Sequence, residues 1–196
     1  MVKNIQGSIV AIVTPMHDDG SLDLAAFDRL VQWHIDSGTA AVVVAGTTGE
    51  SATLSIEENC DLVAHCVAVA DKRIPVIAGT GSNCTQEALF MTESARRAGA
   101  DASLLVTPYY NRPPQEGLYR HFMALADTVD IPQILYNVPG RTACDLALET
   151  VNRLADHENI VAIKDATGDL ARGEELVRRC GDRLAVYSGE DSLARP

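Results

Sequence analysis

The chain has 196 residues, 46% of them hydrophobic and 22% charged, which suits a single domain with a sizeable core. A formal net charge of -11 and a pI near 4.8 exclude the basic surface that a nucleic-acid partner requires. Apolar stretches fall well short of the roughly 20 residues of a membrane span, and the run that follows the N-terminus is too short for a secretory signal, so a cytoplasmic protein with no membrane partner is expected.

Short, branched apolar runs alternate with amphipathic stretches along nearly the whole chain. The first run, 8–13, ends in Thr14-Pro15, and Leu24, Phe27, Leu30, Val31 and Ile35 then share one helical face that stops at Gly38. Run 41–45 leads into Gly46-Thr47-Thr48-Gly49-Glu50, after which Ser55 and Glu58 form a capping-box pattern ahead of Leu62, Val63, Cys66, Val67 and Ala70. Runs 75–78 and 103–106 end in Gly79-Thr80-Gly81 and Thr107-Pro108-Tyr109-Tyr110-Asn111. Leu118, Phe122, Leu125, Ala126 and Val129 make a further helical face, and run 133–136 ends in Tyr136-Asn137. Leu148, Val151, Leu154 and Ala155 precede run 160–164, which ends in Lys164-Asp165; run 184–187 ends in Ser188-Gly189-Glu190. The spacing of strand starts, roughly 25–35 residues, is that of a βα unit.

Such alternation means a parallel sheet, either doubly wound or closed as a barrel. An open sheet gathers ligand contacts at one switch point, whereas a barrel collects them from the carboxyl ends of all its strands. Polar clusters end nearly every run here, so the expected class is α/β, a (β/α)8 TIM barrel. Only seven runs are present and eight strands close such a cylinder. Residues 1–196 are therefore expected to form an incomplete (β/α) barrel catalytic domain, truncated after the seventh strand, from a longer enzyme.

Five cysteines, Cys60, Cys66, Cys84, Cys144 and Cys180, are scattered without C-x-x-C spacing, which predicts free thiols. The five histidines show no ligand spacing, so neither a metal nor a cofactor is expected.

Lys164 ends the run Ile160-Val161-Ala162-Ile163, whereas Lys3 and Lys72 lie in polar sequence. A lysine at the end of a buried strand reaches a partly desolvated pocket. Desolvation disfavours the ammonium and leaves more free amine to attack a carbonyl and form a Schiff base. Tyr136, on the neighbouring strand, brings a phenol close enough to shuttle protons, and Thr47 offers a hydroxyl relay. Thr48 offers a hydroxyl and a backbone N–H for a carboxylate, and Arg141 a bidentate clamp for a second one.

Gly46-Thr47-Thr48-Gly49-Glu50-Ser51, Tyr136-Asn137-Val138-Pro139-Gly140-Arg141-Thr142 and Ile163-Lys164-Asp165-Ala166-Thr167-Gly168 resemble the signatures of the dihydrodipicolinate synthase (4-hydroxy-tetrahydrodipicolinate synthase) family, within the Schiff-base aldolase and N-acetylneuraminate lyase superfamily. The likeness extends from Gly7 to about Asp191. It implies a lyase of lysine and diaminopimelate biosynthesis, built as a (β/α)8 barrel with a C-terminal helical domain that is missing here, and assembled as a homotetramer from two tight dimers. By the same likeness Lys164 forms the Schiff base with pyruvate, and Tyr136, Thr47 and Tyr110 make the proton relay, with Tyr110 lent across the dimer interface. Thr48 holds the pyruvate carboxylate and Arg141 that of L-aspartate 4-semialdehyde. Ser51, Ala52, Asn83, Glu87 and Tyr109 match the site at which inhibited members bind lysine, although Ile56 and Asn59 stand where some of them carry histidines. Two alternatives stay open: a sister lyase acting on N-acetylneuraminate or a sugar keto acid, and a non-catalytic remnant.

Overall fold

The computed structural model describes residues 5–193, so that Lys3 lies outside the described residues. Among the described residues seven strands pair in chain order within one parallel sheet: β1 (Ile9–Ala11), β2 (Ala41–Val44), β3 (Val76–Gly79), β4 (Ala102–Val106), β5 (Gln133–Asn137), β6 (Ile160–Asp165) and β7 (Ala185–Ser188). Between them run α1 (Leu24–Asp36), α2 (Ile56–Ala70), α3 (Thr85–Ala98), α4 (Gln115–Thr128), the single turn α5 (Pro139–Thr142), α6 (Leu148–Leu154) and α7 (Leu170–Cys180).

Alternation along the strands divides the core into two layers. Val42, Val44, Val76 and Ala78 pack outward on Phe27 and Val31 of α1 and on Leu62 and Val63 of α2. Leu105, Leu135 and Ile163 pack outward on Phe122 of α4, Leu154 of α6 and Leu176 of α7. The opposite face carries Val43, Ile77, Leu104, Ile134, Tyr136 and Ala162, which cluster with Ile9 of β1 and Tyr187 of β7. Side chains from the first and last strands thus meet on one concave face, and the sheet curls into part of a barrel.

The helix starts follow local chemistry. Ser55 Oγ accepts from the Glu58 N–H at 3.1 Å while the Glu58 carboxylate accepts from the Ser55 N–H at 2.8 Å, which completes the capping box. Asp23 caps α1 by accepting from the Ala26 N–H at 2.8 Å.

An irregularity interrupts the pairing of β5 with β6. Gln133 lies opposite Ile160, but Ile134 lies opposite Ala162, so Val161 is an extra residue on β6. Ile160 and Ile163 belong to the helix-facing layer, while Val161 and Ala162 both face the concave side. This two-against-one geometry is that of a β-bulge.

All five cysteines are free, as expected; Cys66, Cys144 and Cys180 are buried. Among the described residues no helix is long and apolar enough to cross a membrane, and no cluster of His, Cys, Asp and Glu is arranged to hold a metal ion.

Candidate active site

Lys164 and Tyr136 are direct partners in the β5–β6 register. Past the bulge both side chains turn to the concave face, and the Lys164 Nζ lies over the Tyr136 ring, 4.7 Å from its centroid. On the other side Lys164 is paired with Tyr187 of β7, so the amine stands in a row between two tyrosines. Burial holds the Lys164 pKa below the ordinary lysine value, and the Asp191 carboxylate partly opposes that shift. Lys72, by contrast, is exposed. A lysine amine with its ammonium disfavoured, at the carboxyl end of a barrel strand, is equipped for nucleophilic attack on a carbonyl.

Lys164 lines a cavity of about 510 Å³ together with Thr48, Tyr187, Ser188, Gly189 and Asp191. Thr47 and Tyr136 line a small adjoining space with Ala45, Gly46, Gly79 and Gly81. Gly79 is required at this point, since a β-carbon there would come within 2.1 Å of the Ala45 carbonyl oxygen. The threonine turn is fixed at both ends: Ala45 and Glu50 adopt positive φ of 52° and 61°, and Thr14 Oγ1 donates to the Gly49 carbonyl at 2.7 Å.

Arg141 stands on α5, beyond β5, and lines a second cavity of about 370 Å³ with Thr47, Ser51, Ala52, Glu87 and Tyr109. Four of the five residues matched to an effector site are therefore gathered around one space, which they share with Arg141 and Thr47. Asn83, the fifth, donates from Nδ2 to the Tyr109 carbonyl at 3.2 Å. Ile56 and Asn59 line the same space.

Tyr110 is not brought to Lys164 within the protomer. It is 90% exposed and sits at φ 68° in a three-residue turn closed by the Asn111 N–H donating to the Tyr109 carbonyl at 2.8 Å. Asn111 Nδ2 also donates to the Asn83 carbonyl at 3.0 Å. A non-glycine residue at such a φ persists only where its surroundings over-determine it, and here two asparagine side chains hold the phenol outward.

Sequence reasoning passed over Tyr187. Its place in β7 is the counterpart of Lys164 in β6, so a barrel register carried one strand further would have found it. Burial raises its phenol pKa.

A family model described as the dihydrodipicolinate synthetase family matches residues 4–196. A 4-hydroxy-tetrahydrodipicolinate synthase of Alcanivorax borkumensis is 60% identical over 190 residues, covering 97% of this chain and 65% of that protein. The corresponding protein of Nitrosococcus oceani is 61% identical over 188 residues, covering 96% of this chain and 64% of that protein. Among solved structures, the chloride-inhibited dihydrodipicolinate synthase of Acinetobacter baumannii complexed with pyruvate superposes with a TM-score of 0.96 at 56% identity, covering 97% of this chain and 66% of that one. The enzyme of Cyanidioschyzon merolae with lysine bound gives a TM-score of 0.93 at 40% identity, covering 96% of this chain and 65% of that one. The chain thus spans about 65% of the length of the first of these curated relatives.

Proposed function

Since the chain belongs to the dihydrodipicolinate synthetase family, we propose that its protein condenses pyruvate with L-aspartate 4-semialdehyde to give 4-hydroxy-tetrahydrodipicolinate. The observation that carries this reading is the Lys164 amine, its pKa lowered by burial, lying over the Tyr136 ring inside a cavity.

The amine of Lys164 attacks the keto carbon of pyruvate, and loss of water leaves an imine. Loss of a methyl proton then gives an enamine, which attacks the aldehyde carbon of the second substrate. The amino group of the second substrate then attacks the imine carbon, and ring closure expels the Lys164 amine, so that the one water lost overall is that of imine formation. Each of these steps moves a proton, and a phenol linked to hydroxyls is suited to carry it. Tyr136 and Thr47 supply that relay from this protomer and Tyr110 from a neighbouring one, in keeping with the exposure of Tyr110 here. Thr48, which shares the cavity of Lys164, receives the pyruvate carboxylate. Arg141, across Thr47, receives that of the semialdehyde. A tight dimer is required for the Tyr110 contribution, and a homotetramer made of two such dimers is the assembly proposed.

The relative from Cyanidioschyzon merolae has lysine bound. Ser51, Ala52, Glu87 and Tyr109, with Asn83 behind Tyr109, are proposed as the lysine-effector site of this protein.

Sodium borohydride added with pyruvate tests the central step. A single reduced adduct on Lys164 is expected, with none in Lys164→Ala; labelling that persists in the variant overturns the assignment. Turnover with N-acetylmannosamine and not with L-aspartate 4-semialdehyde would move the protein to the sister lyases.

A further inference from the structure

Directly behind the Lys164–Tyr136 pair, in the layer between sheet and helices, lies a buried polar knot. Asn137 and Asp165 are the next register pair after Tyr136 and Lys164. Asp165 Oδ2 accepts from Arg172 Nε at 2.8 Å, and its Oδ1 accepts from the Thr167 hydroxyl at 2.5 Å and the Thr167 N–H at 3.1 Å. Asn137, with no exposed surface, donates from Nδ2 to Asp145 Oδ1 at 2.8 Å and accepts from the Leu146 N–H at 3.0 Å. Arg172, on α7, also donates to the Leu146 carbonyl and lies 3.5 Å from Asp145. The side chains of Arg172 and Asp165 are only 12% and 8% exposed.

This knot can be satisfied in one register alone. Were Val161 paired with Ile134 rather than bulged out, the pairing that starts at Gln133 and Ile160 would set Lys164 opposite Asn137. The ammonium would then face the Arg172 guanidinium in the helix layer, and Asp165 would turn to the concave side. A one-residue slip exchanges the faces of every side chain beyond it, and two buried like charges without a partner are strongly unfavourable. The bulge brings Lys164 round to Tyr136, and the pair of Asp165 with Arg172 fixes that outcome.

From this geometry, and resting on the Schiff-base reading of Lys164, we propose that Arg172 is a positioning residue which, acting through Asp165, holds Lys164 opposite Tyr136. It contacts no substrate.

The test is the rate of pyruvate-dependent borohydride trapping across pH, in the parent chain and in Arg172→Gln, with far-UV circular dichroism and thermal unfolding alongside. In the parent the rate climbs to a plateau at the pH where the amine is uncharged. In Arg172→Gln the plateau is expected to fall about 10–100-fold, the scale on which small misplacements of a reacting group act, and Arg172→Lys is expected to regain part of it. A role in stability alone would lower the unfolding temperature and leave the plateau unchanged, and that result overturns the inference. Should Arg172→Gln lack the native dichroism spectrum, Arg172→Lys decides: a lowered plateau supports the inference and the parent's plateau overturns it. Absence of trapping in the parent itself would instead overturn the Schiff-base reading on which the inference stands.

Discussion

Gly189 leaves the space that the Lys164 side chain occupies: a β-carbon built on Gly189 would lie 2.9 Å from Lys164 Cε and 2.7 Å from the β-carbon of Ala166. The turn after β7 therefore shapes the course of the lysine in β6. In Gly189→Ala the lysine arm has to shift, and pyruvate trapping at Lys164 is expected to slow by about 10–100-fold with the dichroism spectrum retained. Trapping at the parental rate would show that the arm finds another path of equal quality.

Tyr136→Phe keeps the ring beneath the Lys164 amine and removes only the hydroxyl. Turnover is expected to drop about 10²–10⁴-fold, the usual worth of a positioned acid–base group, while borohydride still traps the imine. If turnover survives intact, the phenol is not the proton carrier.

Subunit mixing addresses Tyr110, which stands 90% exposed in its own protomer. In a mixed dimer of Lys164→Ala with Tyr110→Phe, one of the two sites has an intact lysine and an intact phenol from the neighbour. Activity above the sum of the separate variants is expected after joint refolding. No such gain would mean that Tyr110 serves its own chain or none.

His121 gives the fold a pH dependence with a definite sign. It is 6% exposed, its Nδ1 is 2.9 Å from Thr85 Oγ1, and its Nε2 is buried without a partner among the described residues. Burial pulls its pKa from 6.5 down to about 4. Between those values the unfolded chain takes up a proton that the folded chain refuses, so stability is fully present above pH 6.5 and declines as pH falls towards 4. Each pKa unit corresponds to about 1.4 kcal/mol, so the loss is on the order of 3 kcal/mol. Urea denaturation at several pH values should show this slope, and His121→Leu should flatten it.

The seven strands were legible because each is a short branched run ending in a polar cluster, and the register later placed those clusters at one end of the curled sheet. Two helices gave weaker signals. On α3 the buried positions are Ala88, Met91, Thr92 and Ala95, small or polar for the most part. On α7 only Leu176 and Cys180 are buried, while Leu170 and Val177 are exposed, which blurs the apolar stripe. Lys164 was legible as a strand-end lysine, but its direction was not. Simple alternation from Ile160, which faces the helices, would send a residue four positions later to the same layer. The extra residue that reverses this is Val161, and nothing in an apolar run of four distinguishes it from its neighbours. The division of the candidate residues between two adjoining cavities depends on how the loops after β2 and β5 fold back, which spacing along the chain does not encode.

Val161 has a consequence for how this segment tolerates change. Its side chain is one apolar group among several, so Ile can replace it at the modest cost of a conservative core exchange. Its place in the count behaves otherwise than a paired residue's would: with it removed, Ile160, Ala162, Ile163 and Lys164 would run in unbroken register against Gln133, Ile134, Leu135 and Tyr136, whereas one further residue inserted beside it would carry the amine to Asn137 and the opposite layer. A mutational scan of β6 should therefore find position 161 permissive to exchange and to deletion but intolerant of an inserted neighbour, a contrast that marks a segment with slack for one residue and no more.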